Sequence, residues 1–226
     1  MKEIDVYKVL EGKNPKLARR VPRFVVDYLR RTIHEREVNE ILARFGDLEG
    51  IAFVRAALGY MNVRYHSVGM ERLNPEGRYV FASNHPFGGM DGLMLADEVA
   101  RYFGDVRVVV NDLLMYLGPL RGLFVPVNKH GRQDAGSVEA FNNAFASDVP
   151  IVTFPAGLCS RRRRGVVRDL EWKPNFVKKA AAYGRDVVPV YFNGRLSDFF
   201  YRLSNLRTVL LSLIHISEPT RHAQIS

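Results

Sequence analysis

The sequence predicts an α/β fold: a single domain with a largely parallel or mixed central sheet flanked by helices, preceded by an N-terminal helical segment. From Val63 onward, short β-like apolar runs alternate with helical patterns, which is typical of a layered α/β domain. The 226 residues are enough for one such domain with its own core, and 47% hydrophobic with 25% charged residues argues against disorder.

The N-terminal part is helical in pattern. Between Pro15 and Ile33 apolar residues recur at helical spacing and basic residues share the opposite side. Pro22 is expected to kink or divide this helix. Two more helical patterns follow at Glu35–Phe45 and Leu48–Tyr60. The basic amphipathic stretch suits either the surface of an anionic membrane or packing on its own domain.

Six strands and three helices are expected after this segment. The expected strands are Val63–Val68, Tyr79–Ala82, Val106–Val110, Leu123–Val127, Ile151–Phe154 and Val187–Phe192. The expected helices are Gly92–Phe103, Ala135–Ala146 and Asn175–Tyr183. Residues 212–226 lack periodicity and resemble translated vector sequence, so we expect this tail to be non-native and the preceding domain to be truncated at its C-terminus.

Charge and cysteine content narrow the function classes. Lys and Arg number 33 against 24 Asp and Glu, a net charge of +9, so the chain is attracted to polyanions: nucleic acid, an anionic bilayer, or phosphorylated and carrier-bound substrates. The alternative is that the positive charge forms a solvent-exposed face that binds no polyanion. One cysteine excludes a disulfide framework, and no Cys/His spacing suits zinc. No apolar run is long enough for a membrane span, and the polar start MKEIDVYK predicts a cytoplasmic chain without a signal peptide.

The densest motif is the run Ser83–Gly92, directly after a predicted strand. Strand ends are where α/β folds place ligands and catalytic groups. His85 can accept a proton from a hydroxyl near neutral pH, and Asp91 can bond the other ring nitrogen and stabilise the imidazolium. Gly88 and Gly89 allow a tight turn. The alternatives are a satisfied turn histidine and an Asp91 that caps a helix starting at Gly92.

Two further stretches carry basic groups. Phe154–Arg161 forms a Pro- and Gly-shaped loop after a buried-looking strand, and Arg161–Arg164 place four guanidinium groups together, which suits phosphate oxygens or a bilayer as well as solvent. Cys159 has no evident histidine partner and is expected to pack as a small hydrophobe. Earlier in the chain, a strand leads to Lys129 and Arg132, a plausible phosphate contact.

In their order, these pieces resemble the glycerolipid acyltransferase superfamily, which includes the lysophosphatidic acid acyltransferases. The resemblance covers roughly Val63 to Asn193. Four blocks carry it: Asn84-His85 through Asp91, Gly122-Leu123-Phe124-Val125, Phe154-Pro155-Ala156-Gly157 with Ser160-Arg161, and Val188-Pro189-Val190. The NHPFGG-type core looks closest to the bacterial hemolysin-like branch, which includes enzymes that O-acylate lyso-aminolipids.

Three departures from the family pattern bear on the acceptor. Five residues rather than four separate His85 from Asp91, Ala156 stands where the family usually has Glu, and the second block lacks its usual Arg after Val127. They favour a non-phosphate acceptor such as a lyso-aminolipid, with a 1-acylglycerol-3-phosphate acyltransferase as the alternative.

The resemblance implies roles for individual residues. His85 is the expected base and Asp91 its orienting partner, in direct transfer from an acyl-carrier-protein or coenzyme A thioester to a lysolipid hydroxyl, without cofactor or metal. Expected substrate-binding residues are Asn84, Gly88, Gly89, Phe124, Lys129, Phe154, Pro155, Gly157, Ser160 and Arg161. Expected membrane-contacting residues are Arg19, Arg20, Arg23, Arg162, Arg163 and Arg164.

These roles imply an organisation and a location. Residues 1–62 would form a membrane-associating segment and residues 63–211 the acyltransferase domain, bound peripherally at the cytoplasmic face of the inner membrane. One rival is a membrane-binding relative without catalytic competence. Another is a nucleic-acid binder, but no zinc finger, helix-turn-helix or RNP motif supports it, and the chain lacks the G-x-S-x-G of serine hydrolases.

Overall fold

The computed structural model describes residues 4–13, 15, 21–32, 34–127, 135–198 and 201. The helices within this part are α1 (Val6–Lys13), α2 (Arg23–Thr32), α3 (Glu35–Phe45), α4 (Gly50–Tyr60), α5 (Gly89–Phe103), α6 (Ala135–Ala146) and α7 (Asn175–Ala182). The strands are β1 (Tyr79–Ser83), β2 (Arg107–Asn111), β3 (Phe124–Val127), β4 (Ile151–Thr153), β5 (Arg161–Arg163), β6 (Val166–Arg168) and β7 (Asp186–Val190). Short 3-10 turns occupy Met70–Arg72, Asp112–Tyr116 and Gly118–Leu120.

Five strands form a parallel sheet in the order β3-β2-β4-β1-β7. The central position of β1 is fixed by its register, in which Val80 pairs with Ile151 of β4 on one side and with Val187 of β7 on the other. All five residues of β1 are buried, as expected for a central strand covered on both faces. The predicted α/β class with a largely parallel sheet is therefore confirmed.

Helices cover both faces of this sheet. On one face α4 and α5 pack their apolar side chains against alternate strand residues such as Phe81, Val108 and Val152 in the main core. On the other face Phe145 of α6 and Ala180 of α7 pack against the intervening positions Val80 and Ile151. Because successive strand residues point to opposite faces, the strands contribute side chains to two apolar layers, one on each face of the sheet.

The N-terminal helices are joined to one another by polar contacts. Arg30 of α2 lies 3.3 Å from Asp5 and 3.4 Å from Glu35 at the start of α3. Val26, on the apolar side of α2, is buried. Helix α2 begins directly after Pro22; residues 16–20 of the predicted helix lie outside the described residues. In the described part of the chain, no helix combines the length and the apolar character needed to cross a membrane.

One predicted strand is wrong. Residues 63–68 alternate between half-buried and exposed side chains, as a strand would, but they form no part of either sheet. The inward side chains bond to helix α5 instead: the Tyr65 hydroxyl donates to Asp97 at 2.7 Å, and the Ser67 hydroxyl donates to Glu98. Period-2 patterning reports one buried face and does not reveal whether a sheet edge is available.

The other predicted strands, and the predicted helices from Glu35 onward, lie within a few residues of their expected positions, whereas helix α1 was not predicted. Two further differences lie near the sheet's carboxyl edge. Helix α5 begins at Gly89, three residues before the predicted Gly92. The antiparallel hairpin β5–β6, in which Arg161 pairs with Arg168, was not predicted, because four consecutive arginines carry no strand-like alternation. It lies in the connection between β4 and α7.

Candidate active site

His85 and Asp91 lie together at the carboxyl end of β1. Nδ1 of His85 is 3.1 Å from Oδ2 of Asp91, and the main-chain amide of Phe87 donates to the same oxygen at 2.9 Å. The Asp91 side chain is fully buried, whereas 17% of the His85 side chain is exposed. A buried carboxylate at one ring nitrogen orients the imidazole and stabilises its protonated form. The pair can therefore act as an acid–base dyad on a group that reaches the exposed part of the ring.

The contact between the two side chains is close but not aligned as a hydrogen bond. Within the described residues, Nδ1 of His85 and Oδ1 of Asp91 are buried and have no hydrogen-bond partner. Catalytic pairs in unliganded proteins are often arranged in this way and tighten when substrate binds. The buried Oδ1 leaves the carboxylate with acceptor capacity for such a rearrangement.

Gly88 accommodates the five residues that separate His85 from Asp91. Its φ of 71° and ψ of −130° form a combination that L side chains avoid, and a Cβ there would lie 3.0 Å from Sγ of Cys159. The turn starts α5 at Gly89 and puts Asp91 in the first helical turn, where a negative charge is favoured. Gly88 holds the N-cap position, so the interpretation of Asp91 as an N-cap before Gly92 is wrong.

The ring of Phe154 lies against the ring of His85. Their centroids are 4.2 Å apart and their planes are inclined by 31°. Phe154 follows β4, the neighbour of β1, and the amide of Gly157 donates to its carbonyl at 2.8 Å to close a turn. The Pro155 carbonyl accepts the amide of Lys173 at 3.2 Å. The third sequence block thus forms one wall of the imidazole site.

A second carboxylate holds the main chain of His85. Asp169, one residue after β6, accepts through Oδ1 the His85 amide at 3.2 Å and the Ser160 hydroxyl at 2.6 Å. Through Oδ2 it accepts Nε1 of Trp172 at 3.1 Å. The Ser160 amide donates to the His85 carbonyl at 2.9 Å. His85 and Ser160 are 75 residues apart in the chain. They are joined directly by this main-chain hydrogen bond and indirectly through Oδ1 of Asp169.

Asn84 joins the same loop to the strand on its other side. Its Nδ2 donates to the Phe192 carbonyl at 3.0 Å, and its Oδ1 accepts the Phe192 amide at 2.6 Å. Residue 192 follows β7, which pairs with β1. Both ends of the Asn84 amide are thus engaged with the main chain, and the pairing extends the contact of β1 with β7 beyond the ladder.

The arginine run has two kinds of environment. Arg161 is half-buried and its Nη1 donates to the carbonyls of Cys159 and Ser160 at 3.0 and 3.3 Å. Arg162 is also half-buried and donates to Asp198 at 3.0 Å. Arg163 and Arg164, at the tip of the β5–β6 hairpin, are exposed. The tip of the run is therefore the part most exposed to solvent, whereas Arg161 and Arg162 are only partly exposed.

Other predicted site residues lie apart from this cluster or outside the described residues. Phe124 opens β3, which is separated from β1 by two strands, β2 and β4, and packs against the main core. Arg23 is exposed at the start of α2. Gly89 is the exposed first residue of α5. Lys129, Arg19 and Arg20, and the tail 212–226, lie outside the described residues.

Cys159 is half-buried beside Gly88. Burial raises the pKa of its thiol, against the lowering effect of the Arg161 guanidinium, and the charge of Asp91 raises it further. A neutral thiol is a poor nucleophile, which agrees with its expected role as a small packing residue. Across the described ranges, no group of three or more His, Cys, Asp or Glu side chains is arranged to hold a metal ion.

Sequence reasoning missed Asp169 and Trp172. Both lie downstream of the third block, in a stretch that was not predicted as a strand, and neither belongs to a recognisable spacing with His85. One weak signal exists: Asp169 follows a run of five arginines without an intervening acid and stands three residues before the chain's single tryptophan.

Comparisons with known proteins agree with the geometry. A family model described as "Acyltransferase" matches residues 8–217. A protein of Bacteroides thetaiotaomicron named lyso-glycine lipid O-acyltransferase is 46% identical over 204 residues, which cover 90% of this chain and 75% of that protein. A protein of the same name from Phocaeicola vulgatus is 44% identical over 204 residues, covering 90% of this chain and 73% of the relative.

These matches span the dyad, the third block and the sheet that brings them together. They confirm the resemblance on which the sequence prediction depended. The chain therefore belongs to the acyltransferase family and is an acyltransferase of the glycerolipid type.

Proposed function

We propose that this acyltransferase moves a fatty acyl group from a thioester to the hydroxyl of a lyso-aminolipid of the lyso-glycine lipid kind. The observation that carries the proposal is the 3.1 Å approach of His85 Nδ1 to the buried carboxylate of Asp91. The names of two relatives at 46% and 44% identity support this acceptor class. Ala156, a buried residue, offers no polar group for a phosphate-bearing acceptor, which favours the same class.

In the proposed reaction, Nε2 of His85 removes the proton from the acceptor hydroxyl as its oxygen attacks the thioester carbonyl. The tetrahedral intermediate then collapses, the carbon–sulfur bond breaks, and the imidazolium returns its proton to the departing thiolate. Asp91 holds the imidazole in the required tautomer and stabilises its positive charge in between. The acyl group passes directly to the acceptor without an acyl-enzyme, cofactor or metal.

The proposed oxyanion site is the start of α5. The first amides of a helix have no partner inside the helix, and the helix dipole favours negative charge there. Gly88 and Gly89 are at this position, three residues from His85 along the chain. Their main-chain amides are the proposed oxyanion donors.

The proposed donor is an acyl carrier protein or coenzyme A thioester. Both carry phosphopantetheine, whose phosphate lies at the far end of the arm from the thioester, so a cation on the approach to the dyad is expected to favour donor binding. Arg161 lies beside the third block, linked through Ser160 to His85, and is the proposed contact for this phosphate or for an anionic acceptor head. Lys129 is proposed for the same role on the strength of the sequence alone.

Membrane contact is proposed at two places: the basic stretch with Arg19, Arg20 and Arg23 in residues 1–62, and the tip of the hairpin in the acyltransferase domain 63–211. Exposed apolar side chains support the second place, because Leu158 is 49%, Val166 60% and Tyr191 77% exposed on segments at or next to the site. Such mixed basic and apolar surfaces bind anionic bilayers. The corresponding location is the cytoplasmic face of the inner membrane.

A transfer assay tests the function. Purified protein is given labelled acyl-carrier-protein and acyl-coenzyme A donors with liposomes that contain lyso-glycine lipid, lyso-ornithine lipid or lysophosphatidic acid. We expect product on a lyso-aminolipid and a loss of about a thousandfold or more in His85→Ala. His66→Ala, at an exposed histidine of the 63–68 segment, is the matched control.

Other outcomes are equally informative. Product on lysophosphatidic acid alone would replace the acceptor class and retain the mechanism. Wild-type turnover in His85→Ala would end the assignment of the base. No product on any acceptor with folded protein would favour a catalytically impaired membrane-binding relative.

A flotation assay tests the membrane contact separately. Reversing the charge of both exposed tip residues, Arg163→Glu with Arg164→Glu, is expected to weaken binding to anionic liposomes by more than about 2 kcal/mol at low salt. Each basic residue near such a surface contributes about 1 kcal/mol, and the two new carboxylates are repelled by it. Arg72→Glu, an exposed arginine of the 3-10 turn after the 63–68 segment, serves as the control. Equal binding of all three proteins would contradict a contact at the hairpin.

A further inference from the structure

We propose that Asp169 is a positioning residue for the catalytic base, one that holds the main chain of His85 rather than its ring. The inference rests on the proposed role of His85. It concerns a carboxylate that belongs to none of the four family-like blocks and that has no recognisable motif spacing with the dyad. It accepts three hydrogen bonds, from the main-chain amide of His85, the hydroxyl of Ser160 and Nε1 of Trp172.

The first part of the argument is the geometry at His85. The backbone of this residue is held from both of its polar groups: its amide donates to Asp169 Oδ1 at 3.2 Å and its carbonyl accepts the Ser160 amide at 2.9 Å. Ser160 is buried, and its hydroxyl donates to the same Oδ1 at 2.6 Å. The three groups form a closed ring of hydrogen bonds, so a displacement of His85 would stretch at least two of them.

The second part is the support for Asp169 itself. It follows β6 directly, and the β5–β6 pairing of Arg161 with Arg168 sets Ser160 and Asp169 side by side at the base of the hairpin. Nε1 of Trp172 donates to Oδ2 at 3.1 Å, and the Trp172 ring makes an edge contact with Phe176 of α7, at 6.1 Å between centroids. The carboxylate is thus anchored to the helical layer as well as to the hairpin.

The third part is the consequence for chemistry. Two carboxylates serve one histidine: Asp91 faces the ring at Nδ1, and Asp169 fixes the backbone from which the ring projects. Proton transfer from a hydroxyl needs the base within hydrogen-bond reach, and a displacement of about 1 Å costs on the order of a hundredfold in rate. Loss of Asp169 should therefore lower kcat with little effect on the affinity for either substrate.

The experiment compares Asp169→Ala, Asp169→Asn and the control Asp105→Ala in the transfer assay. Asp105 is a good match, because its carboxylate also accepts a main-chain amide, that of Val106 at 2.7 Å, and a side-chain donor, Arg107, but at the amino end of β2. We expect Asp169→Ala to lose about a hundredfold in kcat with KM values within about twofold. Asp169→Asn keeps one carbonyl oxygen as acceptor and should lose no more than about tenfold.

The rate of hydrogen exchange at the His85 amide, measured by NMR, distinguishes a specific positioning role of Asp169 from a general contribution to stability. The exchange should accelerate in both Asp169 variants and stay unchanged in Asp105→Ala. The proposal is overturned if kcat of Asp169→Ala matches that of Asp105→Ala, if KM rises while kcat holds, or if kcat falls without faster exchange. Should Asp169→Ala not fold, the smaller kcat loss and faster exchange of Asp169→Asn decide the matter.

Failure of the proposed function would look different from failure of this inference. If His85→Ala retains turnover, the base itself is misassigned. If His85→Ala is inactive and the Asp169 variants behave like Asp105→Ala, the base stands and only the positioning role is lost.

Discussion

Nδ1 of His85 lies 3.1 Å from Oδ2 of Asp91, and the amide of Phe87 donates to that same oxygen. One carboxylate oxygen thus faces both the ring of the proposed base and the backbone two residues further along. Because Asp91 is fully buried, a negative charge on this carboxylate would interact with a protonated His85 with little screening by water. The dyad and the turn that shapes it therefore share the Asp91 carboxylate and form one structural unit.

Replacing the buried carboxylate tests this unit. Asp91→Asn keeps the size of the side chain and an acceptor for the Phe87 amide but removes the charge that faces His85. We expect kcat to fall by about a thousandfold or more, as in other enzymes with a carboxylate behind the base, while the midpoint of thermal unfolding changes little. Steady-state kinetics and a melting curve measure the two effects.

Asp97→Asn is the control for that experiment. Asp97 lies on the same helix, α5, but bonds to Arg55 at 2.8 Å and to Tyr65 at 2.7 Å, away from the dyad. Activity of Asp91→Asn within twofold of that of Asp97→Asn would show that the charge of Asp91 has no part in turnover.

Glycine-to-alanine substitutions are expected to change the free energy of unfolding in opposite directions at two positions, Gly88 in the turn before α5 and Gly59 in helix α4. At Gly88 the backbone has φ of 71° and a new Cβ would meet Cys159 Sγ, so Gly88→Ala should destabilise the fold by about 1–3 kcal/mol and reduce activity. Gly59, in helix α4, has open space around it. Gly59→Ala should stabilise the fold by about 0.5–1 kcal/mol, because alanine favours the helix.

Urea unfolding measures both glycine variants. If Gly88→Ala were as stable as the wild type, the strained turn would not be a requirement of the dyad geometry.

The thiol of Cys159 gives a prediction about pH. Burial raises its pKa, so the thiolate, which is the reactive form, appears only at a higher pH in the native protein than in the unfolded chain. We expect the rate of iodoacetamide labelling to reach its midpoint at a higher pH in native protein than in urea. Since the chain has one cysteine, mass spectrometry reports this site alone.

Comparing midpoints rather than rates separates the pKa from simple steric protection. A native midpoint below that of the unfolded chain would mean an activated thiol and would reopen the question of an acyl-enzyme. Cys159→Ala is expected to keep kcat within about threefold of the wild type, because a small buried side chain replaces another.

Replacement of the buried Arg185 is expected to cause the largest loss in the free energy of unfolding. Arg185 is 5% exposed, and its guanidinium donates to main-chain carbonyls around the end of α6. These carbonyls belong to Tyr79, Ala144, Phe145, Ser147 and Val149. Burial lowers its pKa to about 10, so the group stays charged at neutral pH. Lysine cannot reach several of these acceptors at once.

We therefore expect Arg185→Lys to lower the free energy of unfolding by about 3 kcal/mol. Arg36→Lys, at an exposed arginine that pairs with Glu40 at 3.0 Å, should change it by less than about 0.5 kcal/mol. Chemical denaturation compares the two. Equal effects would mean that the carbonyls around Arg185 are satisfied without it.

Much of the fold was predictable because its signals are local. Strand β1 is a short apolar run followed by Pro86, and helix α6 was expected at its observed bounds, Ala135–Ala146. Residues 63–68 were wrongly predicted as a strand because their alternation arises from contacts with helix α5 through Tyr65 and Ser67. Alternation reports which side chains face inward, whereas a strand also needs a free sheet edge beside it.

By itself, the sequence determined the class of the domain and the family, and it predicted which residues form the proposed dyad, because these depend on order, spacing and side-chain chemistry. Only the tertiary structure decided how the site is assembled. Strands β4, β1 and β7 are neighbours in the sheet although they are far apart in the chain, and parallel strands bring their carboxyl ends to one edge. That adjacency places Phe154 against His85 and joins Asn84 to residue 192, and the hairpin after β4 brings Asp169 to the main-chain amide of the proposed base.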